Sequence, residues 1–495
     1  MKARPSPFLS KSKYLTGLQC PKLLWYHYNA KDQFPPIDPE TQSIFDQGHE
    51  VGNLAQSLFS EGIKVEEEID FEKVVARSQS LIKERKPLFE AGFRYDNTYA
   101  RVDILDPVDK NSWDIVEVKS GTSIKDINYY DIAFQKYCYE GAGLSIVKCY
   151  LMYINNEYMK NGPIDPRELF IKEDVTDAIK PYLDGIKERL KGMCDNIALK
   201  KCPDTKIGPH CDAPYECLLK PICWKFLPEK NPLTLYRFKK QTAFELINKG
   251  TTAILDLPDE FTLTDKQHIQ RECIRSGKPF VDKRGIENFL IQLRRPLHFL
   301  DFETFGAAIP IYDNSRPYEQ VPFQFSLHIW EAADREPVHY SYLADGKSDP
   351  RPEILAGLKK LIKENGSVIA FNSSFEIARL KECVAIHPEY NTWLDDIEER
   401  FVDLLVPFRA FHYYHPDQNG SASIKKLAPA LTKDSYKDLE IGEGGMASSE
   451  YFRVTFGKGI LGTERKRVYE ALKKYCEIDT RVMVDIVKAL NKIIT

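Results

Sequence analysis

The chain has 495 residues, 43% hydrophobic and 29% charged, a globular composition that excludes wholesale disorder and a fibrous protein. Lys plus Arg number 69 against 73 Asp plus Glu, so the formal charge is -4, the chain is no basic coat for nucleic acid, and any nucleic-acid groove must be a local patch. No stretch approaches the roughly 20 apolar residues of a membrane span, and the opening MKARPSPFLSKSKYLTG lacks an apolar signal core; a cytoplasmic location with no membrane contact is the expectation.

Length alone predicts roughly three domains, or two larger ones with an insert. Residues 44–59 carry helical apolar spacing at Ile44, Phe45, Val51, Leu54 and Leu58. Residues 99–105 (YARVDIL) and 113–119 (WDIVEVK) read as strands of an antiparallel hairpin, because turn-forming DPVDKNS separates them. A helix over 129–140 and an apolar strand over 146–154 follow. This ββαβ order predicts an α/β domain. Residues 202–228 are an irregular Pro- and Cys-rich stretch. Residues 236–290 turn helical and charged and read as a connector. Near 296 a second α/β region opens with strands LHFLDFET, VPFQFSLHIW and PVHYSYL. A helix over 352–363, strand SVIAF, helix FEIARLKECV and a long helix over 464–494 complete it. The expected domains are thus 1–235, 236–290 and 291–495.

Side chains alternate along a strand, so Glu117 and Lys119 share one face while Val116 and Val118 take the other. If Leu105 pairs with Ile115, Asp103 lies opposite Glu117. Two neighbouring carboxylates repel unless a cation sits between them. Magnesium, a hard ion with oxygen ligands, suits that arrangement, and Lys119 could steady charge developing on a phosphate. The triplet alone carries little weight, since about 10 acidic-x-basic triplets arise by chance at this composition; the bland alternative is a solvated cross-strand salt bridge. Around it, however, stand His49 in GHEVG and Gln135 followed four residues later by Tyr139, on one helix face. The order His, Asp, Glu-x-Lys, Gln-x-x-x-Tyr resembles the RecB-like branch of the PD-(D/E)XK nucleases, including the CRISPR-associated RecB-like iron-sulfur exonucleases. The resemblance implies a restriction-endonuclease-like fold in which His49, Asp103 and Glu117 bind metal, Lys119 is catalytic, and Gln135 and Tyr139 position substrate.

The chain has 11 Cys, an odd number, which in a reducing compartment read as thiols or metal ligands. Cys211, Cys217 and Cys223 are spaced six apart, and Cys20 lies far upstream. Four thiolates can hold zinc or a cubane iron-sulfur cluster. The same resemblance, with one Cys before the nuclease core and three after it, implies a [4Fe-4S] cluster on Cys20, Cys211, Cys217 and Cys223. Zinc stays open as the alternative, with Cys202 or His210 as substitute ligands.

Asp301 and Glu303 end the apolar run LHFLDFET and project to one face. On the last helix Asp479 falls within the stripe Leu472, Cys476, Val482, Met483, Ile486, Leu490 and Ile493, and Tyr475 lies one turn earlier. A lone carboxylate on a core stripe is costly unless paired or metal-bound. Between these, FNSSFE sets Asn372 and Glu376 at a strand-to-helix turn. Asp-x-Glu, a middle acid after Asn, and Tyr-x-x-x-Asp resemble the DnaQ-like DEDDy 3'–5' exonucleases, which have a ribonuclease H-like fold. The resemblance implies that Asp301, Glu303, Glu376 and Asp479 hold two divalent ions, that Tyr475 orients the attacking water, and that Ser423 and Lys425 of GSASIKKLAP contact substrate phosphate. Glu376 stands where that family usually has Asp; Asp403 is a nearby acid read as structural. LSKSKYLTGLQCPK and LDFET…DTRVMV together resemble a bacterial family joining these two nuclease-like halves. The expected function is a metal-dependent DNA nuclease with two Mg2+ or Mn2+ sites, with RNA trimming or binding of nucleic-acid ends as alternatives.

Overall fold

Short turn-bounded apolar runs and longer amphipathic ones alternate along this chain, and among the described residues they build a seven-stranded and a five-stranded sheet packed with helices, and a small two-stranded one that pairs Phe280–Val281 with Tyr413–Tyr414. The computed structural model describes residues 8–65, 70–432 and 436–495. The chain divides into two compact units, one of Met1–Phe226 with Ala307–Tyr318 and the other of Leu227–Gly306 with Glu319–Thr495. Both are mixed α/β. Residues 236–290 belong to the second unit and carry helices Lys240–Asn248, Asp265–Ser276 and Lys283–Leu290.

The first unit runs β1 (Leu9–Ser10), α1 (Lys11–Gln19), α2 (Pro21–Asn29), α3 (Pro39–Gln56), β2 (Ile63–Lys64), α4 (Phe71–Leu81), β3 (Leu88–Tyr95), β4 (Thr98–Pro107), β5 (Ser112–Lys119), α5 (Asp126–Gly141), β6 (Ser145–Ile154), β7 (Phe170–Asp174) and α6 (Ile186–Ala198). The sheet order is β2-β3-β4-β5-β6-β7, with β1 parallel beside the start of β4. The β4–β5 hairpin pairs Leu105 with Ile115 and Ile104 with Val116. Strands β5 and β6 are parallel, which requires a crossover, and α5 supplies it. Ile132, Ala133 and Phe134 of α5 cluster with Val102, Leu105 and Ile115. Val51 and Ala55 of α3 cluster with Ile104, Val116 and Met152 on the opposite side. Helices therefore cover both faces, and the face of β5 that carries Glu117 is not solvated: Glu117 is only 2% exposed.

The second unit runs β8 (Leu297–Phe305), β9 (Val321–Trp330), β10 (Val338–Leu343), α7 (Arg351–Leu361), β11 (Ser367–Ala370), α8 (Ser374–Ile386), β12 (Phe401–Asp403), α9 (Ile424–Leu431), α10 (Gly444–Phe456) and α11 (Gly462–Ile494). The sheet order is β10-β9-β8-β11-β12. The first three strands are antiparallel; β11 is parallel to β8, and β12 to β11. Alternation sorts the two faces of β8. Leu297 and Phe299 pack with Val482, Met483, Ile486 and Leu490 of α11. Leu300 and Phe302 pack with Ile354, Leu355 and Leu358 of α7 and Leu380 of α8. Asp301 and Glu303 share the parity of Phe299, so the same alternation turns them toward α11. Among the described residues no helix is long and apolar enough to cross a membrane.

Candidate functional site

In the second unit a cavity of about 460 Å³ is lined by Asp301 and Glu303 of β8, Glu376 of α8 and Asp479 of α11, together with Lys425 and Tyr475. Three separate elements thus deliver four acids to one place. The β11–α8 turn places Glu376: Asn372 adopts φ +78°, a left-handed conformation that Asn tolerates, and its N–H donates to Asp403 Oδ1 at 2.9 Å. Asp403 Oδ1 also accepts from Leu405 N at 2.9 Å, so it is a turn-holding acceptor. Tyr436 donates its hydroxyl to Asp479 Oδ1 at 2.6 Å, and the Tyr475 hydroxyl also bonds Asp479. The Cys476 thiol donates to Asp301 Oδ2 at 3.7 Å.

These carboxylates are held in conditions that disfavour their charge. Glu303, Glu376 and Asp479 are 6%, 3% and 6% exposed. Burial, then Asp479 and Glu303, push the Asp301 carboxyl well above the usual range. Burial and Asp479 do the same to Glu303, with Lys425 opposing. Glu376 rises to about 8 through burial, with Asp403 adding to it. Asp479 rises to about 6 through burial, tempered by its tyrosine hydrogen bond to Tyr436. Glu376 Oε2 has no hydrogen-bond partner. Lys425 is partly engaged, with Nζ 2.8 Å from Glu443 Oε2 and 5.1 Å from the Tyr475 ring centroid. Ser423 is exposed at the N-cap of α9 and does not line the cavity.

The first unit gathers a different cluster. Glu117 Oε1 accepts from both Lys11 Nζ and Lys119 Nζ at 2.7 Å. Lys119 Nζ also reaches Asp131 Oδ2 at 2.6 Å. Gln135 Nε2 donates to Glu117 Oε2 at 2.8 Å and to Asp131 Oδ1 at 3.0 Å. Burial opposes ionisation of Glu117, yet the two lysines win and hold its carboxyl below the usual range. Burial likewise opposes charge on Lys119, but Asp131 and Glu117 hold its ammonium well above the ordinary value. Asp103 Oδ2 accepts from Val118 N at 2.6 Å where the hairpin ladder ends. Burial and Glu117 raise its carboxyl to about 7.

His49 and Tyr139 stand outside this hydrogen-bonded cluster. His49 is solvent-exposed on α3, and among the described residues no set of three metal donors within 4.8 Å of one another includes His49, Asp103 or Glu117. The lysines and Gln135 occupy the Glu117 oxygens instead. Tyr139 is 0% exposed; its hydroxyl accepts from Val102 N at 3.0 Å and donates to Ala91 O, so it ties β3 to β4. Lys11 and Asp131 were not foreseen. Asp131, four residues before Gln135 on α5, offered a signal in that i, i+4 spacing; Lys11 lies 106 residues from its partner and offered none.

The four expected cysteines are neighbours. Burial raises the Cys217 thiol to about 11, and Cys20, Cys211 and Cys223 push the same way. Burial also raises Cys20, with Cys211 and Cys223 adding to it. Gln19 Nε2 donates to the carbonyls of His210 at 2.9 Å and Tyr215 at 2.7 Å, joining the end of α1 to the cysteine loop. Cys202 also lies within electrostatic reach of Cys223 and Cys20.

A family model described as a domain of unknown function (DUF2779) matches residues 298–423, from β8 to the start of α9. The chain is similar to Uncharacterized protein MG366 of Mycoplasma genitalium, 28% identical over 252 residues, which is 47% of this chain and 37% of that protein. It is also similar to Uncharacterized protein UU173 of Ureaplasma parvum, 27% identical over 219 residues, 40% of this chain and 31% of that protein. A Mycoplasma pneumoniae homolog of MG366 is 26% identical over 239 residues, 43% of this chain and 36% of that protein. The chain therefore spans about a third of the length of these relatives, and none of their names states an activity.

Neutralising one acid should relieve the crowded cavity. In chelator-treated protein at pH 8, Glu376→Gln should raise the unfolding free energy by about 1–2 kcal/mol, read by urea denaturation. The sign follows from the raised carboxyl: the folded group sits near 8 against an ordinary 4.5, so its penalty grows as pH climbs through that window. The gain should vanish below pH 4.5. A loss of stability at pH 8 would instead place Glu376 in a favourable ion pair.

Proposed function

We propose that this chain is a metal-dependent nuclease that hydrolyses phosphodiester bonds of DNA, with its principal centre in the cavity of the second unit, in the manner of a DnaQ-like exonuclease. One observation carries the reading: Asp301, Glu303, Glu376 and Asp479 converge from three elements on one cavity, where their charges are sustainable only beside a cation. The donor set fits a hard divalent ion, and the unpartnered Glu376 Oε2 leaves an oxygen available to one. The five-stranded mixed sheet is compatible with a ribonuclease H-like fold. Magnesium or manganese held by these four acids would supply an activated water and Lewis acidity toward the phosphate. The chain's own groups do the rest. Tyr475, bonded to Asp479, orients the incoming water. Lys425 offers positive charge to the scissile phosphate, and Ser423 at the head of α9 can bind a neighbouring one. Gly444 and Gly445 form part of the cavity wall.

We read the cysteine set as holding a [4Fe-4S] cluster in a reducing cytoplasm. Zinc, with Cys202 or His210 as substitute ligands, is the alternative to that cluster. The cluster's role is to fasten α1 and α2 to the 211–223 loop.

For the first unit the RecB-like reading assigns Lys119 and Glu117 to catalysis and Asp103 with Glu117 to metal binding. His49, Asp103 and Glu117 do not gather as donors, so they do not fit a divalent ion as they stand, and no hydrolytic step is assigned to them. The saturation of Glu117 by two lysines favours a second reading for this unit, recognition of nucleic-acid ends.

End-labelled single- and double-stranded DNA and RNA, incubated with Mg2+ or Mn2+, test this. Asp301→Ala should lower cutting by about 100-fold or more, and Lys119→Ala should remove a separate activity if the first unit also cuts. If wild type and both variants bind ends equally and none cuts, the protein is a binding module. Separately, anaerobically purified protein should show the broad visible absorbance of an iron-sulfur cluster, lost in Cys217→Ala; a colourless, zinc-containing protein would replace the cluster with zinc.

A further inference from the structure

Every DEDDy-like ligand expected from the sequence is an oxygen donor, but a sulfur, that of Cys476, lies buried directly behind the cavity lining, against Asp301. Cys476 follows Tyr475 on α11 and precedes Asp479 by three residues, so one helix face carries all three. It is 0% exposed, and its Sγ lies 3.7 Å from Asp301 Oδ2. One donor atom each from Asp301, Glu303 and Cys476 fall within 4.8 Å of one another, the only such triple among the described residues. A buried thiol usually behaves as a small apolar group. Here its polar neighbours are carboxylates, to which S–H is a weak donor. A second observation points to a ligand in the same cavity: Glu376 lines it, is 3% exposed, and its Oε2 has no partner.

We propose that Cys476 is a metal donor, so that Asp301, Glu303 and Cys476 form a mixed carboxylate–thiolate position that takes a thiophilic divalent cation of the zinc, cobalt and cadmium class in preference to magnesium. This rests on the reading that the four acids bind cations, and it adds which cation one position selects. Carboxylates alone suit magnesium, calcium and manganese, whereas a thiolate shifts preference toward softer ions. On coordination the S–H bond breaks, a sulfur–metal bond forms, and the proton passes to solvent.

The test uses the full chain, stripped with chelator, in wild-type, Cys476→Ser and Asp301→Asn forms. Cobalt titration is followed by the thiolate-to-cobalt charge-transfer absorbance. The other cysteines contribute equally in wild type and Cys476→Ser, so the difference spectrum isolates one thiol. Manganese binding, and its competition by cadmium, are measured in parallel. The proposal expects a one-thiolate loss of absorbance in Cys476→Ser and a fall of at least about tenfold in the preference for cadmium over manganese. Cys476→Ala, which removes the donor without adding a hydroxyl, should behave the same, with a urea midpoint matching wild type. If cobalt spectra and the cadmium preference are unchanged in both cysteine variants while Asp301→Asn loses manganese, the thiol is only packed against the site and this inference falls, with the acid site intact. If wild type binds no manganese at all, the underlying reading falls as well.

Discussion

Like charges confined in one cavity are the constraint on which the functional reading depends. Asp301, Glu303, Glu376 and Asp479 cannot all ionise side by side without either taking up protons or holding a cation. Their raised carboxyls express the first option. Lys425 and two tyrosines offset the repulsion only in part. Such an arrangement costs folding stability, which is the usual signature of residues kept for chemistry rather than for packing.

The fold concentrates that strain at one point. Strand β8 is central in its sheet; β9 pairs alongside the acids, setting Asp301 opposite Ser326 and Glu303 opposite Gln324, while the ladder to β11 ends at Phe299 just before them. Helix α11 lays thirteen buried positions along the unit, and Tyr475, Cys476 and Asp479 are among them. The first unit resolves a similar problem differently. There Glu117 and Asp131 are answered by Lys11 and Lys119, two internal cations in place of an external one. The two clusters therefore differ in kind: one answers its carboxylates with its own lysines, while the other leaves a carboxylate oxygen, Glu376 Oε2, without a partner.

Much of this was legible from local pattern. The hairpin register of Leu105 with Ile115, the strand LHFLDFET and the stripe of the last helix all follow from periods of 2 and 3.6, because local sequence sets them. What pattern could not supply was tertiary. Strand β3, LFEAGFRY, went unread because its apolar residues do not alternate cleanly. The acidic face of β5 reads as solvated until α1 and α5 cover it, and α1 comes from more than a hundred residues away. His49 lies in the expected motif order, yet order does not fix where α3 presents it. Cys476 falls in the apolar stripe of the last helix, and a stripe tells that a residue is buried, not what it is buried against.

The account stands on whether the cavity of the second unit gathers divalent cations. Crystals of chelator-treated protein soaked in manganese, with anomalous scattering measured above the manganese edge, test that directly. The account predicts two anomalous peaks, roughly 4 Å apart, enclosed by Asp301, Glu303, Glu376 and Asp479. An empty cavity, with the Lys425 ammonium seated among those carboxylates, would contradict it.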